Sequence, residues 1–159
     1  MATDVSKPAW GRLLFQGLIA GIVGGIFIDA FLYFSALAMT HSASMIGIWQ
    51  YIASSVVHGA AYTSPNYAWL GLFLHACVAI AWAIGYAYVA ATRPNVMATP
   101  WLSGLIFGAI VWLAMDIVLM VSEVAPPISG VVVADGLIAH CIFYGIPVAL
   151  TVRAVAKRA

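Results

Sequence analysis

Charge is what this chain has least of. Only 7% of its 159 residues are Asp, Glu, Lys or Arg, while 65% are hydrophobic; soluble domains carry roughly 25% charged residues. That excludes an ordinary water-soluble fold. With a mean hydropathy of +1.07, one membrane domain spanning residues 1–159 is the natural reading. The net charge of +1 leaves no basic surface for a nucleic-acid partner. No CxxC, CxxCH or HExxH run occurs, so the sequence signals of a dithiol redox centre, attached haem or zinc protease are missing. The glycines in GIFID and GLIFG are no nucleotide loop, because no strand precedes them. Cysteine is scarce too. Cys77 and Cys141 both fall in apolar segments and read as small core hydrophobes. A Ser–His–Asp set assembled from Ser54 or Ser55, His58 and Asp29 has no support in the spacing. The opening MATDVSKPAWGRLL is followed by no A-x-A-like cleavage site, so the first apolar run is read as a retained span.

Long hydrophobic runs are abundant. A hydrocarbon core takes about 20 apolar helical residues, and four segments meet that length: Leu13 to Ala38, Trp69 to Ala91, Trp101 to Val121 and Ala134 to Val155. The six basic residues, Lys7, Arg12, Arg93, Arg153, Lys157 and Arg158, lie outside or at the ends of these spans. They mark the two termini and the middle loop, which the positive-inside rule places in the cytoplasm. Trp10, Trp69 and Trp101 stand near span ends, as interfacial anchors do. The first outer loop, Met39 to Ala68, contains MIGIWQYIASSVVHGAAY with apolar residues at near-helical spacing. This stretch is too polar for a fifth span and is expected to form an interfacial helix or lid, with Trp49, Tyr51 and His58 above the bundle. The second outer loop holds Pro126, Pro127 and Gly130 and reads as a turn.

Two of the spans echo each other. GLIAGIVGGIFID runs from Gly17 to Asp29, and GLIFGAIVWLAMD from Gly104 to Asp116. Each is followed by an apolar segment with a histidine, GLFLHAC with His75 and GLIAHCI with His140. The expected architecture is an all-α membrane protein, a four-transmembrane-helix bundle of two tandem helical hairpins, residues 10–95 and 96–159. Counting about 1.5 Å per residue puts Asp29, His75, Asp116 and His140 in one layer, about 7–8 Å outside the midplane. Gly17, Gly21 and Gly25 form a strip of small residues leading to Asp29, and such strips let helices approach closely. In the second copy Trp112 stands where the first has Gly25; it is expected to plug the inner side of the bundle. Tyr144, one turn from His140, and Pro147, which is expected to bend the last span, complete the picture.

An ionisable group inside a membrane helix is costly and marks a functional candidate by default. Carboxylates with imidazoles relay protons or bind a transition metal, and the pair His75 and His140 suits a metal or a haem iron. Interhelical hydrogen bonds that only fix packing are the plainer alternative. Three readings therefore stand side by side: a proton, cation or small-ligand site, a structural or assembly subunit, and a haem- or metal-binding redox protein. The first leans away from enzymatic chemistry. The bilayer is the implied partner, and a second copy or a larger membrane complex is compatible with it.

The segments GIFIDAFLYF, IWQYIASSVVHGAAY, LGLFLHACVAIAWAIGYAYVA, GLIFGAIVWLAMDIVLM and GLIAHCIFYGIPVALTVR, over residues 17–153, resemble in order a family of four-span bacterial inner-membrane proteins related to the YagU-like group. The resemblance implies a bacterial cytoplasmic membrane and a four-span architecture. It also implies that the position of Asp116 accepts Asn and that of His58 varies, which tells against a mechanism needing two carboxylates or a third histidine. It brings no assigned reaction.

Overall fold

A computed structural model of the chain describes residues 9–157; Lys7 and Arg158 lie outside them. Among the described residues the only regular structure is helical. The long helices are α1 (Trp10–Thr40), α3 (Tyr67–Thr92), α5 (Pro100–Val121) and α6 (Gly130–Ala156), each long and apolar enough to cross a membrane. The shorter α2 (Met45–Val57) joins α1 to α3 through a 3₁₀ turn at His58–Tyr62, and one turn, α4 (Pro94–Ala98), joins α3 to α5.

Local chemistry sets the ends. The Ser44 hydroxyl accepts from the Gly47 N–H at 3.2 Å and starts α2, while Ser129 accepts from Val132 N–H at 3.3 Å and starts α6. Each is a serine N-cap satisfying a donor that the first helical turn leaves open. At the end of α1, His41 takes the left-handed conformation and its N–H returns to the Leu37 carbonyl at 3.0 Å. The helix α6 is not uniform. Between Ala139 and Gly145 it widens into a π turn, with the Ile146 N–H reaching the Cys141 carbonyl five residues back. Pro147 follows at once. It has no N–H to give the Phe143 carbonyl, so a regular α ladder is interrupted there in any case. The bend expected at Pro147 takes the form of this widened turn.

The bundle is built inside out relative to a soluble protein. Its buried positions are largely small: Ala20, Ala79, Ala83, Ala87, Ala139 and Ala149 are at most 5% exposed. The large side chains Phe34, Trp69, Phe73, Trp101 and Val121 point outward, each at least 61% exposed. An apolar exterior over a small-residue interior is what helices in lipid require, since close backbone approach replaces the hydrophobic drive. The four long helices are thus compatible with an integral membrane protein.

Glycine determines which faces meet. α1 packs on α3 and α6, and α5 on α6. A Cβ on Gly21 would come within 2.5 Å of the Ile80 Cα, and one on Gly17 within 2.6 Å of the Ile84 Cα. The mid-bundle volume is filled by aromatics. Phe107 lies 4.9 Å from Tyr86 and 5.9 Å from Tyr144, centroid to centroid, and Phe31 stacks on Phe143 at 4.5 Å. Trp112 does not plug the inner side. Its indole lies against Gly136 near the start of α6, a place only a residue without a side chain leaves open.

Candidate ionisable site

The glycine strip of α1 leads to Asp29, and α3 brings His75 opposite it. A Cβ on Gly25 would sit 3.8 Å from His75 Nε2, an ordinary contact, so the ring lies beside the last glycine of the strip. The Asp29 Oδ1 and His75 Nε2 atoms face each other at 3.2 Å. Both atoms are sealed from solvent and neither makes a hydrogen bond among the described residues, so theirs is a close ionisable contact and not an aligned hydrogen bond. Their side chains as a whole are partly buried, at 13% and 17% exposure. The other carboxylate oxygen, Oδ2, accepts the Trp49 indole N–H at 3.2 Å. Three elements therefore meet at one carboxylate: α1 supplies it, α3 the imidazole and α2 the indole.

Beside this group lies an open depression of about 380 Å³, lined by Ile26, Asp29, Ala30, Tyr33 and Met45. One side of Asp29 is thus closed by His75 and Trp49, and the other faces an opening between α1 and the start of α2.

Asp116 and His140 are held differently. A Cβ on Gly108 would come within 2.5 Å of the Cys141 Cα, and Gly145 lies against Gly104 and Gly108. Ile80, opposite Gly21, is five positions beyond His75, whereas Cys141, opposite Gly108, is one position beyond His140. The registers of the two helix pairs differ by four residues, about one helical turn. Glycine-on-glycine contact and the seat of Trp112 on Gly136 select the second register. As a result Asp116 and His140 form no ion pair or hydrogen bond with each other. They stay within electrostatic range, as do His140 and His75. The His140 ring is oriented by its own helix, with Nδ1 2.9 Å from the Gly136 carbonyl. Of the four groups expected in one layer, Asp29 and His75 come into contact, while Asp116 and His140 do not meet each other.

The three lid residues separate in the same way. Trp49 reaches the site. The Tyr51 hydroxyl donates to the Val124 carbonyl at 3.2 Å and ties α2 to the segment after α5. His58 is exposed at the end of α2 with φ 50°, and does not cover the cluster. Among the described residues no group of three or more His, Cys, Asp or Glu converges closely enough to hold a metal ion.

Two tethers were not singled out from the sequence. The Ser35 hydroxyl donates to Asp135 Oδ1 at 2.5 Å, joining α1 to α6, and the Tyr144 hydroxyl donates to the Ala79 carbonyl at 2.5 Å inside the bundle. Tyr144 stood out for its closeness to His140, but the packing turns its hydroxyl to α3 instead, and only the packing brings Ser35 to Asp135. Gln16 was also passed over, though its signal was present: it is an amide inside an apolar span.

No protein-family model, curated protein or solved structure matches the chain. Those comparisons also supply no link to the YagU-like group.

Proposed function

We propose that the protein is a multi-pass membrane protein whose Asp29–His75 pair, covered by Trp49, binds and passes a proton. The observation that carries this reading is the 3.2 Å approach of Oδ1 and Nε2, sealed from solvent and without other partners, beside a depression that also reaches Asp29. A carboxylate and an imidazole this close need only a small turn of the ring to pass a proton between them, and histidine is the side chain whose unperturbed titration falls between pH 5 and 8. Trp49 donates to the carboxylate and cannot accept, so it holds Oδ2 and covers the pair from the side of α2. His140, within electrostatic range of His75, is the next group on such a path. The placement of basic residues supports a topology with both termini cytoplasmic and α2 as an interfacial helix on the opposite side. On that topology the long helices form two tandem hairpins, and the resemblance to the YagU-like group supports a bacterial inner membrane.

Reconstituted vesicles carrying an internal pH dye provide the test. A potassium diffusion potential is expected to drive proton flux in the parent protein, and Asp29→Asn is expected to abolish it. If flux is unchanged in Asp29→Asn and only the melting temperature falls, the pair is a packing device. The same three-way junction at Asp29 favours that second reading, because it ties α1, α2 and α3 together.

A further inference from the structure

At the end of the bundle where α1 begins and α6 finishes, the helices enclose a second cavity, of about 490 Å³. That lies within the range of about 300–1,000 Å³ typical of small-ligand pockets. Its volume exists because the walls are small: Ala87, Ala90 and Ala91 of α3 and Ala156 of α6 stand where larger residues would fill it. Two polar residues one helical turn apart on α1, Arg12 and Gln16, also line it. Gln16 is only 4% exposed, and it is the buried polar residue on this wall. An amide in apolar surroundings is costly unless a polar group meets it, so a polar residue on this wall favours an occupant that carries a polar group of its own. The charge at this end has one sign among the described residues. Arg12, Arg93, Arg153 and Lys157 lie at the ends of the helices that meet here, while Asp29, Asp116, Glu123 and Asp135 lie in the other half of the fold.

We propose that this cavity is a binding site for a phosphate-headed amphiphile, with Arg12 holding the phosphate at the mouth, Gln16 hydrogen-bonding the polar group ester-linked to it, and the alanine wall taking the adjoining apolar chain. A guanidinium forks onto two phosphate oxygens. An amide offers both donors and an acceptor, which suits an ester oxygen or a hydroxyl of a headgroup. The alanines present only apolar surface. The site is independent of the proton reading, since it shares no residue with the Asp29 cluster.

The test is native mass spectrometry on the full chain released from vesicles of equal parts phosphatidylglycerol and phosphatidylcholine. The parent is expected to retain one phosphatidylglycerol in preference to phosphatidylcholine. Retention is expected to fall at least fivefold in Gln16→Leu and in Ala90→Phe, which fills the cavity. Arg12 is exposed, so Arg12→Gln leaves packing untouched, and it is expected to erase the headgroup preference. Circular dichroism identifies any variant that fails to fold, and Arg12→Gln then decides alone. Equal retention in the parent and the folded variants overturns the proposal. So does displacement of the lipid by inorganic phosphate at matching concentration, which would make the site one for free phosphate.

Discussion

The carbonyl of Trp49 lies against Gly71, so close that no side chain fits between α2 and α3 there. This contact sets the height of α2 over the bundle, and with it the reach of the Trp49 indole to Asp29.

Gly71→Ala is therefore expected to push α2 away and break the Trp49–Asp29 hydrogen bond. Overpacking of this kind costs about 1–3 kcal/mol. Thermal unfolding should show the loss, and a water-soluble quencher should gain access to indole fluorescence. Unchanged quenching would mean that α2 is not held by this contact.

The Asp29–His75 interaction has a measurable strength whatever its role. A double-mutant cycle with Asp29→Asn and His75→Ala is expected to give a coupling of about 0.6 kcal/mol, the average for interhelical polar contacts in a membrane protein. The same cycle on Asp116 and His140 should give a smaller value, because those side chains do not touch and interact only through space. Equal couplings would contradict the difference in register between the two helix pairs.

Glycines on these helices divide into two kinds. Gly85 has nothing near the position of a Cβ, so Gly85→Ala is expected to stabilise the helix by about 0.5–1 kcal/mol. Gly21→Ala meets the backbone of Ile80 at 2.5 Å and should destabilise, by about 1–3 kcal/mol. Unfolding in detergent with graded denaturant compares the two directly, and opposite signs are expected.

The Tyr51 hydroxyl, outside the long helices, has its pKa raised above 10.0, first by burial and then by the neighbouring Tyr62 and Asp116. A raised acid keeps its proton longer when folded. Its contribution is full below the unfolded value near pH 10 and is lost as pH rises through the folded value. Ionisation also removes the proton that Tyr51 donates to Val124. Loosening of α2 is thus expected only above pH 10, seen as a change in Trp49 fluorescence. Tyr51→Phe should remove that step, and a step that persists would assign it to another group.

Much of this was legible along the chain. Segments expected at Leu13 to Ala38 and Trp101 to Val121 form helices at Trp10–Thr40 and Pro100–Val121, because apolar length needs no knowledge of neighbours. The strip Gly17, Gly21, Gly25 and Asp29 does lie along one interface. What failed was the extension of that pattern to the second copy. Counting residues from span ends gives depth along each helix separately. It is blind to a slip of one turn between helices, and that slip separates Asp116 from His140.

Sequence by itself determined four apolar helices, their small-residue faces and the acids and histidines they carry, because hydropathy and helical period are properties of each segment alone. Tertiary structure alone decided which of those groups meet. The packing of Gly17 and Gly21 on Ile84 and Ile80 brings His75 beside Asp29, whereas the seating of Trp112 on Gly136 and of Gly108 on Cys141 fixes the other pair in a register where the groups pass each other by. Pairing depends on the relative slide and rotation of two packed helices, and steric fit between their surfaces sets both.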